Sequence, residues 1–258
     1  MPTPSTQVSS TPASHTGRVA VVTGAAGGFG HAICHELARR GADIIAVDLN
    51  PADHTVEVVE EAGHKAVQFR ADISDPEQVA ALAPELLGFA GRVDILVNNA
   101  GVFPFKNVFE LDFAQWKRTQ EINVDSQFLM AKAVMGSMRD NGWGRIVNLA
   151  SNSLGLAVPD MVHYMASKGA VVGFTRALAS DLAPHGITVN AISPSASRTP
   201  GGQEFIGEDM LRTVAGMQAI KRVGTAADIV GLACFLTGDD CAFITGQTIV
   251  ADGGLVRH

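Results

Sequence analysis

The stretch TGAAGGFG at 23–30 follows the short apolar run 18–23 and precedes a helical pattern at 29–40. Its glycines let the backbone turn sharply and approach a pyrophosphate, and the N-terminus of the following helix offers unpaired N–H groups and a positive dipole. With 27 glycines in the chain, chance clustering is the alternative, and the spacing is GxxxGxG instead of GxGxxG. Because the turn lies at a strand–helix junction, it predicts a dinucleotide phosphate site formed by Gly24, Gly28 and Gly30.

Short apolar runs alternate with helical patterns on both sides of this turn. We predict strands at 18–23, 43–48, 65–70, 93–98, 144–150, 186–191 and 247–250, and helices at 29–40, 52–61, 76–89, 112–139, 162–182 and 226–237. Most of these strands are continuously apolar, which is typical of strands buried on both faces of a parallel sheet. The pattern therefore predicts an α/β fold, a single Rossmann-type doubly wound parallel sheet of about seven strands with helices on both faces and ligands at the strands' carboxyl ends.

The composition limits the classes of partner. A net charge of −7 without a basic cluster disfavours nucleic acid and anionic membrane surfaces, and no apolar run is long enough to span a bilayer. Three cysteines without CxxC spacing indicate reduced thiols, so we expect a cytoplasmic protein. Residues 1–16 lack the pattern of a signal peptide, and we expect a disordered tail before a single catalytic domain at 17–258.

The segment from Ser193 to about Gln218 interrupts the alternation. It holds two prolines and four glycines, together with the apolar side chains of Phe205, Met210 and Met217. We expect an irregular substrate lid at about 195–218. The alternative is a solvated loop, which would need fewer apolar side chains.

Asp48 ends the second predicted strand, 18 residues after Gly30. A carboxylate at this point can accept hydrogen bonds from the adenosine ribose hydroxyls and repels a 2′-phosphate. The alternative is an aspartate that only forms a turn before Pro51. The residues around Asp48 carry no charge: Ala25, Ala26, Leu49 and Asn50. NAD is therefore favoured over NADP.

The chain's single tyrosine lies in YMASK at 164–168. The i,i+4 spacing of Tyr164 and Lys168 places both side chains on one helix face, where an ammonium can lower the pKa of a phenol from about 10. Such a phenol can give a proton to a carbonyl oxygen or take one from an alcohol. The pair alone is a weak motif, because a half-buried tyrosine beside a solvated lysine is common.

Two polar residues elsewhere are candidates for the same site. Ser151 follows the predicted strand at 144–150 and could hold a substrate oxygen, although it could be an ordinary loop serine and Ser153 is a rival. Asn123 stands between apolar neighbours, where a core amide is common. His31 and His35 have the spacing of a helical metal pair, but no third ligand is evident, and no metal site is predicted.

Over residues 18–258 the chain resembles the short-chain dehydrogenase/reductase family. The matching motifs are TGAAGGFG at 23–30, Asp72, NNAG at 98–101, Asn123, Ser151, YMASK at 164–168 and NAISPSASRTP at 190–200. The resemblance implies that Tyr164 is the general acid/base and that Lys168 tunes it and binds the nicotinamide ribose. It also implies that Ser151 polarises the substrate C–O group and that Asn123 supports a water-linked proton relay.

The same resemblance implies the residues that contact NAD. They are Gly24, Gly28, Phe29, Gly30, Asp48, Leu49, Asp72, Ile73, Asn99, Ala100, Gly101, Tyr164, Lys168, Pro194, Ser197 and Thr199. Two positions depart from the family pattern, since Ser195 replaces a glycine and Ser197 replaces an aliphatic residue, while Thr199 keeps the usual threonine. These departures affect how the nicotinamide is seated.

A mostly apolar set of side chains is expected to face the substrate: Phe103, Phe105, Ser153, Leu154, Val158, Met161, Phe205, Met210 and Met217. Such a lining favours an aromatic or alicyclic secondary alcohol or its ketone. SNS at 151–153, GFTRALASDL at 173–182 and the C-terminal 244–258 are similar to bacterial pyridoxal 4-dehydrogenases and (S)-1-phenylethanol dehydrogenases. The C-terminal segment also resembles tails that pack at tetramer interfaces, so a homotetramer is expected.

We therefore expect an NAD-dependent oxidoreductase that interconverts a hydrophobic secondary alcohol and its carbonyl. Three alternatives are open: a pyridoxal 4-dehydrogenase-like oxidation, a non-catalytic NAD-binding sensor on the same fold, and a dehydratase or epimerase that uses NAD transiently. A sensor would be expected to lack the acid/base tyrosine, and Tyr164 is present.

Overall fold

The structure is a computed structural model that describes residues 14–199 and 206–257. The predictions for residues 1–13 of the tail and for Phe205 and Pro200 lie outside the described residues. Ser14–Thr16, which we had assigned to the tail, form a turn in which His15 is buried against Thr237.

The central layer is a seven-stranded parallel sheet in the order β3-β2-β1-β4-β5-β6-β9. Its strands are β1 (Val19–Thr23), β2 (Asp43–Asp48), β3 (Ala66–Arg70), β4 (Ile95–Asn98), β5 (Gly144–Leu149), β6 (Ile187–Pro194) and β9 (Thr248–Ala251). The strands β1, β4, β5 and β6 are almost wholly buried, which explains their continuous apolar runs. The predicted fold class and number of strands are confirmed.

Helices cover both faces of this sheet. They are α1 (Gly28–Arg39), α2 (Asp53–Glu61), α3 (Pro76–Gly88), α4 (Phe113–Gln120), α5 (Ser126–Asp140), α6 (Val162–Leu182), α7 (Glu208–Met217) and α8 (Ala227–Thr237). Apolar residues of α1 and α8 pack with one face of the strands, and those of α3 and α5 pack with the other. This two-sided burial is what a doubly wound sheet requires.

Two predicted elements differ from the structure. The single helix predicted at 112–139 is divided into α4 and α5 by a π-helical turn at Glu121–Asp125. The lid predicted as irregular contains α7, whose Leu211 and Ala215 are buried, and a two-stranded pairing of β7 (Ser197–Arg198) with β8 (Gly224–Thr225). The buried apolar residues of α7 are few and lie among glycines and prolines, so the sequence pattern did not indicate a helix there.

Among the described residues, no helix combines the length and the apolar character that a bilayer crossing needs.

Candidate active site

The candidate site lies at the carboxyl ends of β1, β4, β5 and β6. Strand order reverses between β1 and β4, because the chain builds outward to β3 on one side and to β6 on the other. The crossover connections leave this point in opposite directions, which opens a crevice where doubly wound sheets bind ligands. The glycine turn follows β1 and the NNAG segment follows β4, so both border the crevice.

The glycine turn is packed so closely that side chains would not fit. Gly24 has φ +66°, and a Cβ there would lie 2.8 Å from Asn99 Nδ2, while a Cβ on Gly30 would overlap the Gly24 carbonyl oxygen. Asn99 Nδ2 donates to the carbonyls of Thr23 (2.9 Å) and Gly24 (3.1 Å), which joins the turn to the NNAG segment. The N-terminus of α1 has no side-chain cap. Uncapped N–H groups behind a bare backbone cradle fit the pyrophosphate of a dinucleotide.

Asp48 is held at the end of β2 by two backbone groups. Its Oδ2 accepts from the N–H of Ala26 (2.9 Å), and its Oδ1 accepts from the N–H of Asn50 (2.8 Å). Each carboxylate oxygen keeps a further lone pair, so Asp48 remains able to accept from ribose hydroxyls. The adjoining Leu49 is 55% exposed.

A basic residue that the sequence did not indicate lies beside Asp48. Arg70, the last residue of β3, is the cross-strand partner of Asp48 and donates from Nε to the Leu49 carbonyl over 2.8 Å. The residues near Asp48 in sequence are uncharged, but parallel strand pairing brings Arg70, 22 positions away, to the same place.

Asp72 follows β3 and is engaged by its neighbours. Ser74 donates from N (3.0 Å) and Oγ (2.5 Å) to Asp72 Oδ1, and Arg118 on α4 donates to Oδ2 over 3.0 Å. Burial alone would raise the pKa of Asp72, but the hydrogen bonds from Ser74 and Arg118 outweigh it and lower that pKa. The next residue, Ile73, is buried. Arg118 is a second residue that sequence analysis missed.

The amide of Asn123 holds the segment after NNAG. Val102 N–H donates to Asn123 Oδ1 (2.8 Å), and Asn123 Nδ2 donates to the Val102 carbonyl (2.8 Å) and to Ser167 Oγ (2.9 Å). A Cβ on Gly101 would lie 3.0 Å from Asn123 Oδ1, so the glycine permits this close approach. Ala100 N–H donates to Thr23 Oγ1 over 3.1 Å. Ser167 directly precedes Lys168 in the YMASK motif, and nothing in the sequence set it apart as a partner of Asn123.

The structure brings Ser151 and Tyr164 together. Ser151 lies two residues after the end of β5 and is buried, and its side chain interacts with that of Tyr164 so as to lower the pKa of the phenol. Ser151 Oγ also accepts from the N–H of Ser153 over 3.2 Å, which orients it. The Oγ of Ser153 has no hydrogen-bond partner among the described residues. The geometry therefore favours Ser151 over Ser153 as the partner of the phenol.

Lys168 lies beneath the tyrosine, but its electrostatic effect differs from our expectation. Its Nζ donates to the Leu149 carbonyl over 2.7 Å and lies 5.7 Å from the centre of the Tyr164 ring. Burial raises the pKa of Tyr164, and only the hydrogen bond from Ser151 opposes that rise, so the predicted lowering by Lys168 is not found. Burial also lowers the pKa of Lys168 to about 8. Desolvation therefore disfavours the charged form of both groups.

The end of β6 completes the crevice. Thr199 is buried, and its Oγ1 would lie 3.8 Å from a Cβ on Gly28, so it faces the glycine turn. The two serines that depart from the family pattern are linked, since Ser197 Oγ donates to the Ser195 carbonyl over 3.1 Å. Pro194 at the end of β6 is half-buried, and so is Phe29 at the start of α1.

The predicted substrate-facing residues divide into two groups. Met161 and Ser153 are buried, and Phe103 and Val158 are half-buried. Phe105 and Leu154 are exposed, as are Met210 (48%) and Met217 (57%) on α7. The two lid methionines therefore do not form a closed lining here, because α7 buries Leu211 and Ala215 instead.

His31, one of the two histidines with helical metal-pair spacing, contacts other side chains. His31 bonds through Nδ1 to Thr55 Oγ1 (2.8 Å) and stacks on His54. In the parts of the chain that the structure describes, no three His, Cys, Asp or Glu side chains are grouped as metal ligands.

Comparisons with known proteins agree with this geometry. Residues 24–256 match the family model described as enoyl-(acyl carrier protein) reductase. The chain is 36% identical over 241 residues to cis-4-hydroxycyclohexanecarboxylate dehydrogenase of Sinomonas cyclohexanicum, which covers 92% of this chain and 96% of that protein. The resemblance to pyridoxal 4-dehydrogenases and (S)-1-phenylethanol dehydrogenases stays a prediction.

Two solved structures are similar throughout. One is described as an NAD(P)-dependent gluconate 5-dehydrogenase from Beutenbergia cavernae, with bound NADP (35% identity, TM-score 0.89, 95% of this chain and 99% of that one). The other is carveol dehydrogenase from Mycobacterium avium in complex with NAD (28% identity, TM-score 0.88, 94% of this chain and 98% of that one).

Proposed function

Because this chain belongs to the short-chain dehydrogenase/reductase family of oxidoreductases acting on CH–OH groups, we propose that it interconverts a hydrophobic secondary alcohol and its carbonyl with NAD. The observation that carries the proposal is the grouping of Ser151, Tyr164 and Lys168 at the end of β5, where Lys168 Nζ is bonded to the Leu149 carbonyl and the Ser151 side chain lowers the pKa of the phenol. Two neighbouring hydroxyls can both reach one substrate oxygen.

In this proposal Tyr164 exchanges the proton of the substrate oxygen, and Ser151 keeps that oxygen in place. When bound, the dinucleotide supplies or accepts the hydride at the substrate carbon. The raised pKa of Tyr164 keeps the phenol protonated near neutral pH, which suits proton donation to a carbonyl. Oxidation of an alcohol needs the phenolate, so its rate should rise with pH.

Lys168 and Asn123 support this proton transfer. Lys168 is largely protonated at neutral pH, since its pKa of about 8 is still above 7, and its ammonium is fixed by the Leu149 carbonyl. It is placed to bind ribose hydroxyls next to Tyr164. Asn123 keeps the Val102 backbone beside this lysine, and we assign it the support of a water-linked relay.

The preference for NAD rests on Asp48. A fixed carboxylate at the end of β2 attracts ribose hydroxyls and repels a 2′-phosphate. Solved relatives are described with NAD and with NADP, so they support a nicotinamide dinucleotide without distinguishing between the two. The other proposed contacts are the glycine turn, Asp72 and Ile73 at the adenine end, and Asn99–Gly101 under the adenosine ribose.

The substrate class is inferred from the half-buried and buried apolar residues near Ser151. Met161, Val158 and Phe103 offer an uncharged surface, and relatives described as acting on cis-4-hydroxycyclohexanecarboxylate and carveol handle alicyclic rings. A relative described as a gluconate dehydrogenase supports a polar substrate as the alternative. A pyridoxal-like alcohol is a second alternative. An NAD-coupled absorbance screen over aromatic, alicyclic and polyol substrates separates these classes.

We further propose a cytoplasmic homotetramer in which residues 17–258 form one catalytic domain and 195–218 act as substrate lid. Large apolar side chains stand exposed on α4 and α5, with Phe113 at 74% and Phe128 at 52%, as expected for a surface that a second copy covers. Light scattering on the purified protein measures this assembly.

The decisive experiment is Tyr164→Phe. We expect turnover to fall by about a thousandfold or more, since the phenol is the proposed acid/base, while NADH binding measured by fluorescence changes little. Ser180→Ala, which removes an exposed hydroxyl on the same helix, serves as the control and should keep turnover within a few-fold. If Tyr164→Phe turns over at the wild-type rate, the proposed chemistry is wrong. A sensor would bind NADH without turnover, and a transient-NAD dehydratase or epimerase would convert substrate with no net change in NADH.

A further inference from the structure

Arg70 lies where the ribose end of the crevice meets the solvent. It is the last residue of β3, and in the parallel pairing of β2 with β3 it is the direct partner of Asp48. Partner residues in paired strands project to the same face of a sheet. Two residues earlier on β3, Gln68 accepts from the Ala52 N–H over 2.7 Å, so this face is the one that turns towards α2.

The guanidinium of Arg70 is positioned but not neutralised. Its Nε donates to the Leu49 carbonyl over 2.8 Å, which fixes the side chain next to the residue that follows Asp48. Within the described residues its Nη1 and Nη2 make no hydrogen bond, and it forms no ion pair. An exposed arginine that is anchored at Nε keeps the outer edge of its fork free for an anion.

Asp48 uses part of its capacity to accept hydrogen bonds on backbone N–H groups. The N–H groups of Ala26 and Asn50 each donate to one of its oxygens, and these two hydrogen bonds direct the carboxylate towards the crevice. A carboxylate and a guanidinium therefore stand at neighbouring strand ends without pairing with each other. The first selects ribose hydroxyls, and the second has the geometry that recognises phosphate.

We propose that Arg70 is a cofactor-specificity residue that binds the 2′-phosphate of NADP(H) and sets how strongly this protein discriminates against it. The proposal rests on the dinucleotide function proposed above and deepens it. Asp48 dominates in the wild type, because it lies at the ribose hydroxyls and repels the phosphate. Arg70 opposes that repulsion, so NADPH binding is weakened relative to NADH but not abolished.

The charges lie near the surface, where solvent and salt screen them. Contributions of exposed charge pairs are modest, so we expect Arg70 to change affinity by about tenfold and not by many orders of magnitude. Screening also predicts that its contribution declines as ionic strength rises.

The test uses ligands that need no turnover. Calorimetric titration of the full-length protein with 2′,5′-ADP, 5′-AMP, NADPH and NADH compares ligands with and without the 2′-phosphate. In Arg70→Gln we expect the Kd of NADPH and 2′,5′-ADP to rise by about tenfold, while those of NADH and 5′-AMP change less than about twofold. The matched control is Arg139→Gln, which removes an exposed arginine bonded to Asp140 at the far end of α5. It should change none of the four.

Replacing Asp48 provides the second arm. Asp48→Asn removes the repulsion and should strengthen NADPH binding by about tenfold or more, and Arg70→Gln in that background should reverse most of the gain. Equal effects of Arg70→Gln on all four ligands, or no effect on any, would overturn the inference while leaving the proposed function intact. A wild type that binds neither NADH nor NADPH would overturn both.

Discussion

The side-chain amide of Asn123 donates a hydrogen bond of 2.9 Å to the hydroxyl of Ser167, joining the π-helical turn between α4 and α5 to helix α6, which carries Tyr164 and Lys168. Ser167 in turn donates to the Tyr164 carbonyl over 2.6 Å. Since the same amide pairs with both backbone groups of Val102, one buried side chain connects the helix of the proposed acid/base to the segment under the ribose.

Replacement of Asn123 by Ala should therefore affect both stability and rate. It removes the partners of the N–H and the C=O of Val102, which is 37% exposed, and the amide bonded to the buried Ser167, which together costs about 1–3 kcal/mol of unfolding free energy. We expect kcat to fall by about tenfold to a hundredfold, because the elements beside Tyr164 and Lys168 lose their link. Urea unfolding and steady-state kinetics measure the two effects.

Ser126→Ala, which removes a hydroxyl on the next helical turn that bonds only to Ile122 O, is the control. Wild-type kcat in the Asn123→Ala protein would contradict the assignment.

The pKa of Tyr164 can be measured directly, because it is the only tyrosine in the chain. Burial raises that pKa above its ordinary value of 10, and the hydrogen bond from Ser151 lowers it. Near-ultraviolet absorbance of the tyrosinate during alkaline titration should give a midpoint above 10 without cofactor and a still higher one in Ser151→Ala. A midpoint well below that of free tyrosine would show that Lys168 dominates after all.

Lys168 should destabilise the cofactor-free protein at neutral pH. Its pKa is lowered from 10.5 to about 8, so the unfolded chain binds more protons than the folded one between these values. The unfolding free energy therefore rises as pH increases from about 8 to about 10.5 and is lowest below 8. Lys168→Met should remove this dependence and stabilise the protein at pH 7 by on the order of 1–3 kcal/mol while reducing turnover.

Denaturant unfolding across this pH range measures the effect, with Lys132→Met, an exposed lysine on α5, as the control. The interpretation fails if Lys168→Met keeps the wild-type slope.

His15 should lower the unfolding free energy of the protein at acidic pH. Burial lowers the pKa of this imidazole from 6.5 to about 4, and its ring bonds to Thr237 Oγ1 (3.0 Å) and Ser14 Oγ (2.9 Å). Because the folded state prefers the neutral ring, the contribution of His15 to stability is complete above about pH 6.5 and is lost as pH decreases towards 4. The loss due to this group should be about 3 kcal/mol at pH 4.

Thermal or urea unfolding of His15→Gln should show a shallower acid decline than the wild type. The exposed His185 provides the matched control, since His185→Gln should keep the wild-type slope. Identical acid profiles for His15→Gln and the wild type would rule out His15 as the source.

Asp252 should support Ser151 from the C-terminal segment. This buried carboxylate accepts from the N–H groups of Gly254, Leu255 and Val256 and from Asn152 Nδ2 (3.2 Å), next to Ser151. Asp252→Ala should lower stability by about 2–4 kcal/mol, because several donors lose one acceptor, and should also lower kcat.

Asn152→Ala removes only the link to the active-site segment, so it should lower kcat with a smaller loss in Tm. Differential scanning fluorimetry and kinetics on both variants make the comparison. If Asp252→Ala unfolds more easily but retains wild-type kcat in the folded fraction, the segment has a purely structural role.

Most of the fold could be predicted from the sequence. Continuous apolar runs marked the strands, because a strand covered by helices on both faces has no polar side to show. The division of α4 from α5 could not be predicted, since the π turn inserts within an unbroken helical pattern. Helix α7 was missed because its buried stripe is reduced to Leu211 and Ala215 among glycines and prolines.

Local spacing and position relative to the strands were enough to predict the parallel sheet, the glycine turn and four candidate residues: Tyr164, Lys168, Ser151 and Asp48. The surroundings of these residues depend on the folded arrangement. Burial, and not the neighbouring ammonium, controls the pKa of Tyr164, and strand pairing places Arg70 beside Asp48. Desolvation and cross-strand contact depend on which distant segments cover a residue, and a linear pattern does not contain that arrangement.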